Sequence, residues 1–184
     1  MRRAAIVAVI GLATAGLVAV AWRGLGGDSV GFALAVVWLP MTGLGTVSHL
    51  MPFRLPAALH ALRRFERDGR VYRWLGVGVA KRLLRRGPLA VFNPGLRLPA
   101  EPTAARLAEL EERMCTAEAS HAILLVATLP VAIHAAARGW WPAAAATLGF
   151  DLLINGYPVM LQRHNRARLR ARFGPGAAPA AQET

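Results

Sequence analysis

Four long apolar runs dominate the pattern of hydrophobic and polar positions along the chain. They cover residues 4–22, 30–50, 119–137 and 140–161. At ~1.5 Å of rise per residue, a helix of this length matches the ~30 Å hydrocarbon thickness of a bilayer. The pattern therefore predicts an all-α integral membrane protein, with four transmembrane helices in a single membrane domain, residues 1–172.

The first run also has the features of a cleavable signal peptide. Arg2 and Arg3 precede it, and Ala19-Val20-Ala21 gives it a small-residue end. Cleavage would leave three spans. We expect the segment to be retained as a fourth.

Proline and glycine interrupt the second run. Pro40 lies in its middle, and Gly43 and Gly45 follow. Because proline lacks a backbone donor and clashes with the preceding turn, the helix is predicted to be kinked or to end early, around Thr46–His49.

Positive charge is distributed unevenly between the predicted connections. Of the 22 lysine and arginine residues, two precede the first span, thirteen lie in residues 52–118 and five follow the fourth span. Only Arg23 and Arg138 fall in the other connections. Because cytoplasmic loops are enriched in these residues, both termini and residues 52–118 are predicted to face the cytoplasm. This topology explains much of the net charge of +12, so no nucleic-acid partner is expected.

The cytoplasmic segment, residues 52–118, is basic and amphipathic. From Leu55 to Arg86, apolar and aromatic side chains alternate with arginine clusters. This composition is typical of one or two helices lying in the membrane interface. A second interpretation, that the arginines also hold the phosphates of an anionic cofactor, stays open. The Gly-, Pro- and Ala-rich tail, residues 173–184, is expected to be disordered.

Composition agrees with a membrane protein. Hydrophobic residues make up 55% of the chain and the mean hydropathy is +0.38, which is high for a soluble protein. The single cysteine, Cys115, has no disulfide partner in the chain and is expected to be a small apolar filler. A soluble enzyme with a conventional core and a secreted disulfide scaffold are therefore excluded.

A helix is predicted to begin after Thr103, a suitable N-cap, and to run on into the third span. Glu118 lies eleven residues after Leu107, and His121 eleven after Leu110. Eleven residues are close to three full turns, so both polar residues continue the inward-facing apolar stripe.

Polar side chains at the spans mark a candidate site, because such groups are costly in a bilayer. An antiparallel hairpin of the third and fourth spans, turning near Arg138–Gly139, places His121 level with Tyr157. The hairpin is then expected to gather a polar set near the cytoplasmic membrane surface: Glu118, His121, Asn155, Tyr157 and Gln162, beside Arg163, Asn165 and Arg166.

Structural roles for these residues stay open. Glu118 could pair with Arg163 as a clamp, and His121 could be an interfacial histidine with a backbone partner. Asp151 and His134 could form a matched pair or lie in a water-filled cavity. A single Glu-x-x-His motif is too short to define a metal site, so no metal is expected.

The pattern of these residues resembles a known family, the glycosyl-4,4'-diaponeurosporenoate acyltransferases, which supply the last acylation step of staphyloxanthin-type carotenoid synthesis. The similarity covers roughly residues 45–170. Its motifs are Ala117-Glu118-x-x-His121, Leu129-Pro130-Val131, Asn155-x-x-Pro158-x-x-x-Gln162-Arg163-x-Asn165-Arg166-x-Arg168-Leu169 and, upstream, Phe65-Glu66-x-x-Gly69-x-x-Tyr72-x-Trp74. Two positions depart from it: His164 stands where an aromatic such as tyrosine is usual, and Ala167 where proline is usual.

The resemblance implies an acyltransferase. Together with the topology predicted from the charges, this indicates a multi-pass protein of the bacterial inner membrane whose site faces the cytoplasmic leaflet. The resemblance also implies transfer of a fatty acyl group from acyl-CoA to a hydroxyl of a membrane glycolipid, such as a glycosylated carotenoid. The implied partners are membrane lipids, the glycolipid acceptor and the acyl-CoA donor, with no permanently bound cofactor.

Roles can be assigned to the polar residues for this reaction. Neutral His121 is expected to act as the general base, with Glu118 holding its tautomer. The other substrate-binding candidates are Asn155, Tyr157 and Gln162, with Arg163 and Asn165 for the oxyanion and Arg166 and Arg168 for the donor phosphates. Two other functions stay open: a small membrane lipid methyltransferase or reductase, and a non-enzymatic transporter or scaffold.

Overall fold

The computed structural model of the chain describes residues 2–51, 55–66, 69–79 and 102–174, which contain helices and no strand. Four helical stretches are long and apolar enough to cross a membrane, which confirms the predicted fold class. The α-helices are α1 (Arg2–Leu25), α2 (Val30–Leu50), α3 (Ala57–His60), α4 (Arg70–Trp74), α5 (Ala104–Ala137), α6 (Trp141–Asp151) and α7 (Tyr157–Phe173). A 3₁₀ turn (Arg64–Glu66) precedes α4, and a π-helical turn (Leu152–Gly156) joins α6 to α7.

The chain divides into two compact units. The span unit comprises Met1–Phe53 and Ala119–Pro158, and the charged unit comprises Arg54–Glu118 and Val159–Thr184. The tail that the sequence predicts to be disordered lies, from residue 175 on, outside the described residues.

Helix α1 has the surface of a lipid-facing helix. None of its residues is buried, and large apolar side chains such as Leu12 and Val20 are exposed. A soluble protein rarely leaves so much contiguous apolar surface in water. In a bilayer the same surface meets lipid tails, which agrees with the hydropathy of this helix.

Helix α2 does not end early, which was one of the two expectations from its sequence. The Ser29 hydroxyl accepts a hydrogen bond from the Phe32 N–H (3.0 Å) and caps its first turn. The helix then continues past Pro40 to Leu50, so the expected early end around Thr46–His49 is wrong. One proline does not end this helix, because α2 resumes its backbone hydrogen bonds beyond it.

Helix α5 is a single helix of 34 residues, as the sequence predicts. The Thr103 hydroxyl accepts a hydrogen bond from the Arg106 N–H (3.4 Å), consistent with an N-cap. Within the charged unit, the predicted apolar stripe is buried against α7: Leu107, Leu110 and Met114 pack with Leu169 and Phe173.

The π-helical turn is the main irregularity of the fourth span. The Tyr157 N–H donates to the Leu152 carbonyl, five residues back. Pro158 has no N–H to give to Ile154, and its ring would crowd that carbonyl in a regular helix. The wider turn relieves this conflict. Such turns are frequent at functional sites, and this one contains Asn155.

The core of the span unit is made by α2 with neighbours from α1, α5 and the fourth span. Phe32, Val36 and Val37 are buried there, packed by Val131 and Phe150 among others. Near the turn between α5 and α6, Ala135, Ala143 and Ala144 form a second buried cluster. Small residues allow two membrane helices to approach closely.

The described part of the basic segment contains two short α-helices, α3 and α4, with turns between them, and the expected interfacial helices stay a prediction. Gly69 and Gly76 adopt positive φ angles of 66° and 75°, which a regular helix does not contain. Apolar side chains nevertheless remain exposed among the arginines, most of all Trp74 at 91%. Residues 80–101, which complete the segment, lie outside the described residues.

Candidate active site

His121 and Asn155 contact each other within the span unit. Nδ1 of His121 lies 3.0 Å from Oδ1 of Asn155, which comes from the π-helical turn. Asn155 is fully buried and His121 is partly buried. The hairpin of the third and fourth spans therefore brings together two of the residues that the sequence predicts to share a site.

The Asn155 amide determines the direction of this hydrogen bond. Its Nδ2 donates to Oδ1 of Asp151 (2.7 Å), one turn earlier on the same face, and its Oδ1 faces His121. Because an amide oxygen only accepts hydrogen bonds, Nδ1 of His121 is the donor. His121 then carries its proton on Nδ1, which leaves the lone pair of the neutral ring on Nε2.

Asp151 has a second neighbour in the span unit. The side chain of Thr128, on α5, also hydrogen bonds to it. Oδ2 of Asp151 is buried and has no hydrogen-bond partner among the described residues. We call His121, Asn155 and Asp151 the histidine relay, because each orients the next.

In the charged unit, Arg163 is surrounded by acceptors. Its Nη1 donates to Glu118 Oε1 (2.7 Å) and to the Leu59 carbonyl, and its Nη2 to Glu66 Oε2 (2.7 Å) and the Ala61 carbonyl. Its Nε donates to Glu66 Oε1 (2.8 Å). All five N–H groups of the guanidinium are thus used within the protein.

Arg166 occupies a second, deeper position in the same unit and is 2% exposed. Its Nη1 donates to Glu118 Oε2 (2.7 Å), its Nη2 to the His60 carbonyl (2.8 Å) and its Nε to Glu111 Oε1 (3.3 Å). Glu111 also accepts from Arg170 Nε (2.8 Å). Buried charges are tolerated when they are paired and hydrogen bonded in this way.

These ion pairs form one group, which we call the charge cluster. Its three arginines and three glutamates balance in charge, and they tie α7 to α5 and to the segment before α4. The members are Glu66, Glu111, Glu118, Arg163, Arg166 and Arg170.

Glu66 is ionised in this cluster. Burial by itself would raise the pKa of Glu66, but hydrogen bonds from Arg163, from Tyr72 and from the Arg63 N–H outweigh it and lower the pKa to about 2. The Tyr72 hydroxyl donates to Glu66 Oε1. Burial, together with the hydrogen bond to Glu66, raises the pKa of Tyr72 to about 12, so the phenol keeps its proton.

His60 lies beside the cluster and is buried. Its Nδ1 is 3.6 Å from Glu118 Oε1. Burial lowers the pKa of His60, and Arg166 and Arg163 lower it further, against the opposing effect of Glu118. His60 is therefore neutral at pH 7, which keeps the cluster balanced.

Glu118 has a different partner from the one assigned to it from sequence. Its two carboxylate oxygens accept from Arg163 and Arg166, and Asn155 is the residue that hydrogen bonds to His121 Nδ1. The clamp between Glu118 and Arg163, weighed as the structural alternative, is present. We therefore assign the orientation of the imidazole to Asn155.

The roles first assigned to Arg163 and Arg166 also conflict with these contacts. The N–H groups of these arginines already donate to buried carboxylates and carbonyls. Few donors therefore remain for an oxyanion or a phosphate. The contacts favour a structural role for both side chains. Arg168, by contrast, is exposed and remains suited to phosphate.

The other predicted site residues differ in burial. Gln162 is buried, and its Oε1 has no hydrogen-bond partner among the described residues. Tyr157 and Asn165 are partly buried. Cys115 is buried, which fits the filler role expected from sequence.

The matched pair of Asp151 and His134, one alternative from sequence, does not form. The His134 ring packs against Trp140 and Trp22, with centroid distances of 5.9 and 6.3 Å. Asp151 hydrogen bonds to Asn155 instead.

The sequence analysis did not single out three members of the charge cluster, namely Arg170, Glu66 and Glu111. The two glutamates could have been found from the sequence. Their signal is scarcity: the chain has ten acidic residues against 22 basic ones, so a glutamate on an apolar stripe or in an arginine-rich segment needs an explanation. Among the described residues, no three His, Cys, Asp or Glu side chains are grouped so as to hold a metal ion.

Comparison with known proteins gives one match. The family model of glycosyl-4,4'-diaponeurosporenoate acyltransferase matches residues 56–173, which is more than half of the chain. No curated protein and no solved structure matches the chain. The matched range contains both the histidine relay and the charge cluster. The chain therefore belongs to the glycosyl-4,4'-diaponeurosporenoate acyltransferase family, a family of acyltransferases in carotenoid biosynthesis.

Proposed function

We propose that this protein transfers a fatty acyl group from acyl-CoA to a sugar hydroxyl of a membrane glycolipid, such as a glycosylated carotenoid. Family membership supports acyl transfer, and the four apolar helices support a lipid acceptor. The observation that carries the proposal is the hydrogen bond between Asn155 and His121, because it leaves Nε2 of a neutral imidazole as the base.

The proposed reaction needs one general base. The acceptor hydroxyl oxygen attacks the thioester carbonyl carbon while His121 Nε2 takes the hydroxyl proton. The tetrahedral intermediate then collapses, the carbon–sulfur bond breaks, and the proton passes from His121 to the departing thiolate. The products are an ester and free coenzyme A, and His121 returns to its neutral state.

The histidine relay suits this proton transfer. Asn155 Oδ1 accepts the Nδ1–H of His121 before and after Nε2 is protonated, so the ring need not turn during the reaction. Asp151 holds the Asn155 amide from its other side. Asp151 and Asn155 are positioning residues in this proposal, because they act through His121.

The remaining predicted residues supply binding rather than proton transfer. Exposed Arg168 is proposed to bind the phosphates of the donor, since a guanidinium pairs well with phosphate oxygens. The buried Oε1 of Gln162 can accept a hydrogen bond from a sugar hydroxyl. Asn165 and Tyr157 are proposed to contact the oxyanion or the acceptor. We propose that the site faces the cytoplasmic leaflet, because the basic residues of segment 52–118 favour the cytoplasmic side.

Lipid mass spectrometry of cells with and without the protein tests this function. The proposal predicts a glycolipid whose mass rises by one fatty acyl group when the protein is present. A gain of one methylene group would indicate a methyltransferase, and a gain of two hydrogens a reductase. An unchanged lipid profile in cells that contain the glycolipid and acyl-CoA would contradict acyl transfer.

A further inference from the structure

An apolar groove with a volume of about 790 Å³ lies in the span unit between α1, α2 and the start of the span part of α5. This volume is within the ~300–1,000 Å³ typical of ligand pockets. The lining is apolar apart from the hydroxyl of Thr14, which donates to the Ile10 carbonyl and is satisfied within α1.

Aromatic rings line one end of the groove. Trp22 of α1 and Phe32 of α2 both line it, and they pack edge to face with a centroid distance of 5.0 Å. The Trp22 ring also packs against His134 and Trp140. This end of the groove is therefore lined by a packed group of aromatic rings.

The groove also reaches the helix face that carries His121. Ile123 and Leu124 line it, and Leu124 lies three residues after His121, on the same face of α5. Along α1 the lining residues run from Val7 to Trp22, which is ~22 Å at the helical rise. One leaflet of the hydrocarbon core is ~15 Å thick, so the groove can hold a long acyl chain in extended form.

We infer that this groove binds the fatty acyl chain of the donor, with the chain end at Trp22 and Phe32. The inference rests on the proposed function for the identity of the donor. Lipid tails are as apolar as the groove itself, so entry gains little hydrophobic free energy. The groove therefore discriminates between donors by the shape and length of their acyl chains.

Two glycines on α1 allow a matched test. Gly11 lines the groove, and a Cβ added there meets no atom within 4 Å, so Gly11→Phe fills the groove without a clash at its base. Gly16 has the same open surroundings but does not line the groove. Gly16→Phe is therefore the control for added bulk and for hydrophobicity on the same helix.

The experiment uses the full-length protein in membranes and a palmitoyl-CoA that carries a photoreactive diazirine at the chain end. In the wild type and in Gly16→Phe, we expect label on the peptides that contain Trp22 or Phe32. In Gly11→Phe, that label should fall about tenfold or more. In the same variant, acyl transfer should shift from palmitoyl toward lauroyl donors.

Label spread over lipid-facing peptides, or equal label in Gly11→Phe and Gly16→Phe, would overturn the inference. A raised KM for the glycolipid in Gly11→Phe, with palmitoyl label unchanged, would also overturn it, since the groove would then hold the acceptor. Labelling as expected without acyl transfer by the wild type would contradict the proposed function but support the groove as an acyl-chain site.

Discussion

His121 Nδ1 and Asn155 Oδ1 are 3.0 Å apart, although the two residues are separated by 34 positions in the chain. The π-helical turn supplies Asn155, and Asp151 accepts a hydrogen bond from the amide nitrogen of the same side chain. A residue assigned from sequence to substrate binding thus contacts the proposed base. The contact fixes the tautomer that general-base catalysis requires.

The relay predicts a specific rescue. Asn155→Asp places two carboxylates side by side, one from Asp151, and we expect it to lower kcat at least tenfold with little change in donor KM. The double variant Asn155→Asp with Asp151→Asn restores one carboxylate and one amide in reverse order. It should recover a large part of kcat.

Steady-state acyl transfer in membranes measures both variants. Thr147→Val is the control, because Thr147 is buried on α6 and its hydroxyl donates to the Ala143 carbonyl of the same helix. If the double variant were no more active than Asn155→Asp alone, the relay would have no part in orienting His121.

The charge cluster predicts a large loss of stability when one carboxylate is neutralised. Glu118→Gln leaves Arg163 and Arg166 each short of a buried partner, and we expect a loss of about 3 kcal/mol. Glu109→Gln, on the same helix, breaks an exposed pair with Arg113 and should cost less than ~1 kcal/mol. Thermal unfolding in detergent measures both. Equal midpoints for the two variants would contradict the structural role of Glu118.

The lowered pKa of Glu66 predicts a pH dependence. A carboxyl group with a pKa of about 2 in the folded state and 4.5 as reference stabilises the fold above pH 4.5, and this stabilisation is lost as the pH falls toward 2. The difference corresponds to about 3 kcal/mol. In Glu66→Gln, the midpoint of thermal unfolding should therefore fall less between pH 6 and pH 3 than in the wild type. Parallel curves would contradict the assignment.

The predicted topology can be tested by two fusions. A reporter that is active only in the periplasm should be inactive when fused after Arg86 and active when fused after Gly139. The reason is the excess of basic residues in the segment between the second and third spans. An active reporter after Arg86 would contradict the cytoplasmic orientation of the site.

The sequence predicted the four spans because the length of each apolar run, taken as a helix, can be compared directly with the thickness of a bilayer. It also predicted the start of α5 at Thr103 and the buried stripe through Leu107 and Leu110, since a regular helix repeats its faces. The same regularity does not reveal a π-helical turn. Pro158, four residues after Ile154, was the available signal.

The charged network could be predicted only in part. The pair of Glu118 and Arg163 follows from the register of one hairpin, but Glu66 reaches Arg163 across 97 positions through a segment of short turns. Gly69 has a positive φ, and a Cβ there would lie 2.9 Å from His164 Nδ1. His164, which departs from the usual aromatic, still packs edge to face with Tyr72 at a centroid distance of 6.1 Å. Helical periodicity carries no information on such contacts.

The most direct measurement of the central claim is the rate of acyl transfer by His121→Ala in membranes, compared with His49→Ala at matched amounts of folded protein. His49 is an exposed histidine at the end of α2, and its loss should leave the rate unchanged. His121→Ala should lower kcat by about 10²-fold or more, because it removes the nitrogen that is proposed to take the hydroxyl proton. A His121→Ala rate equal to that of the wild type would contradict the assignment of His121 as the base.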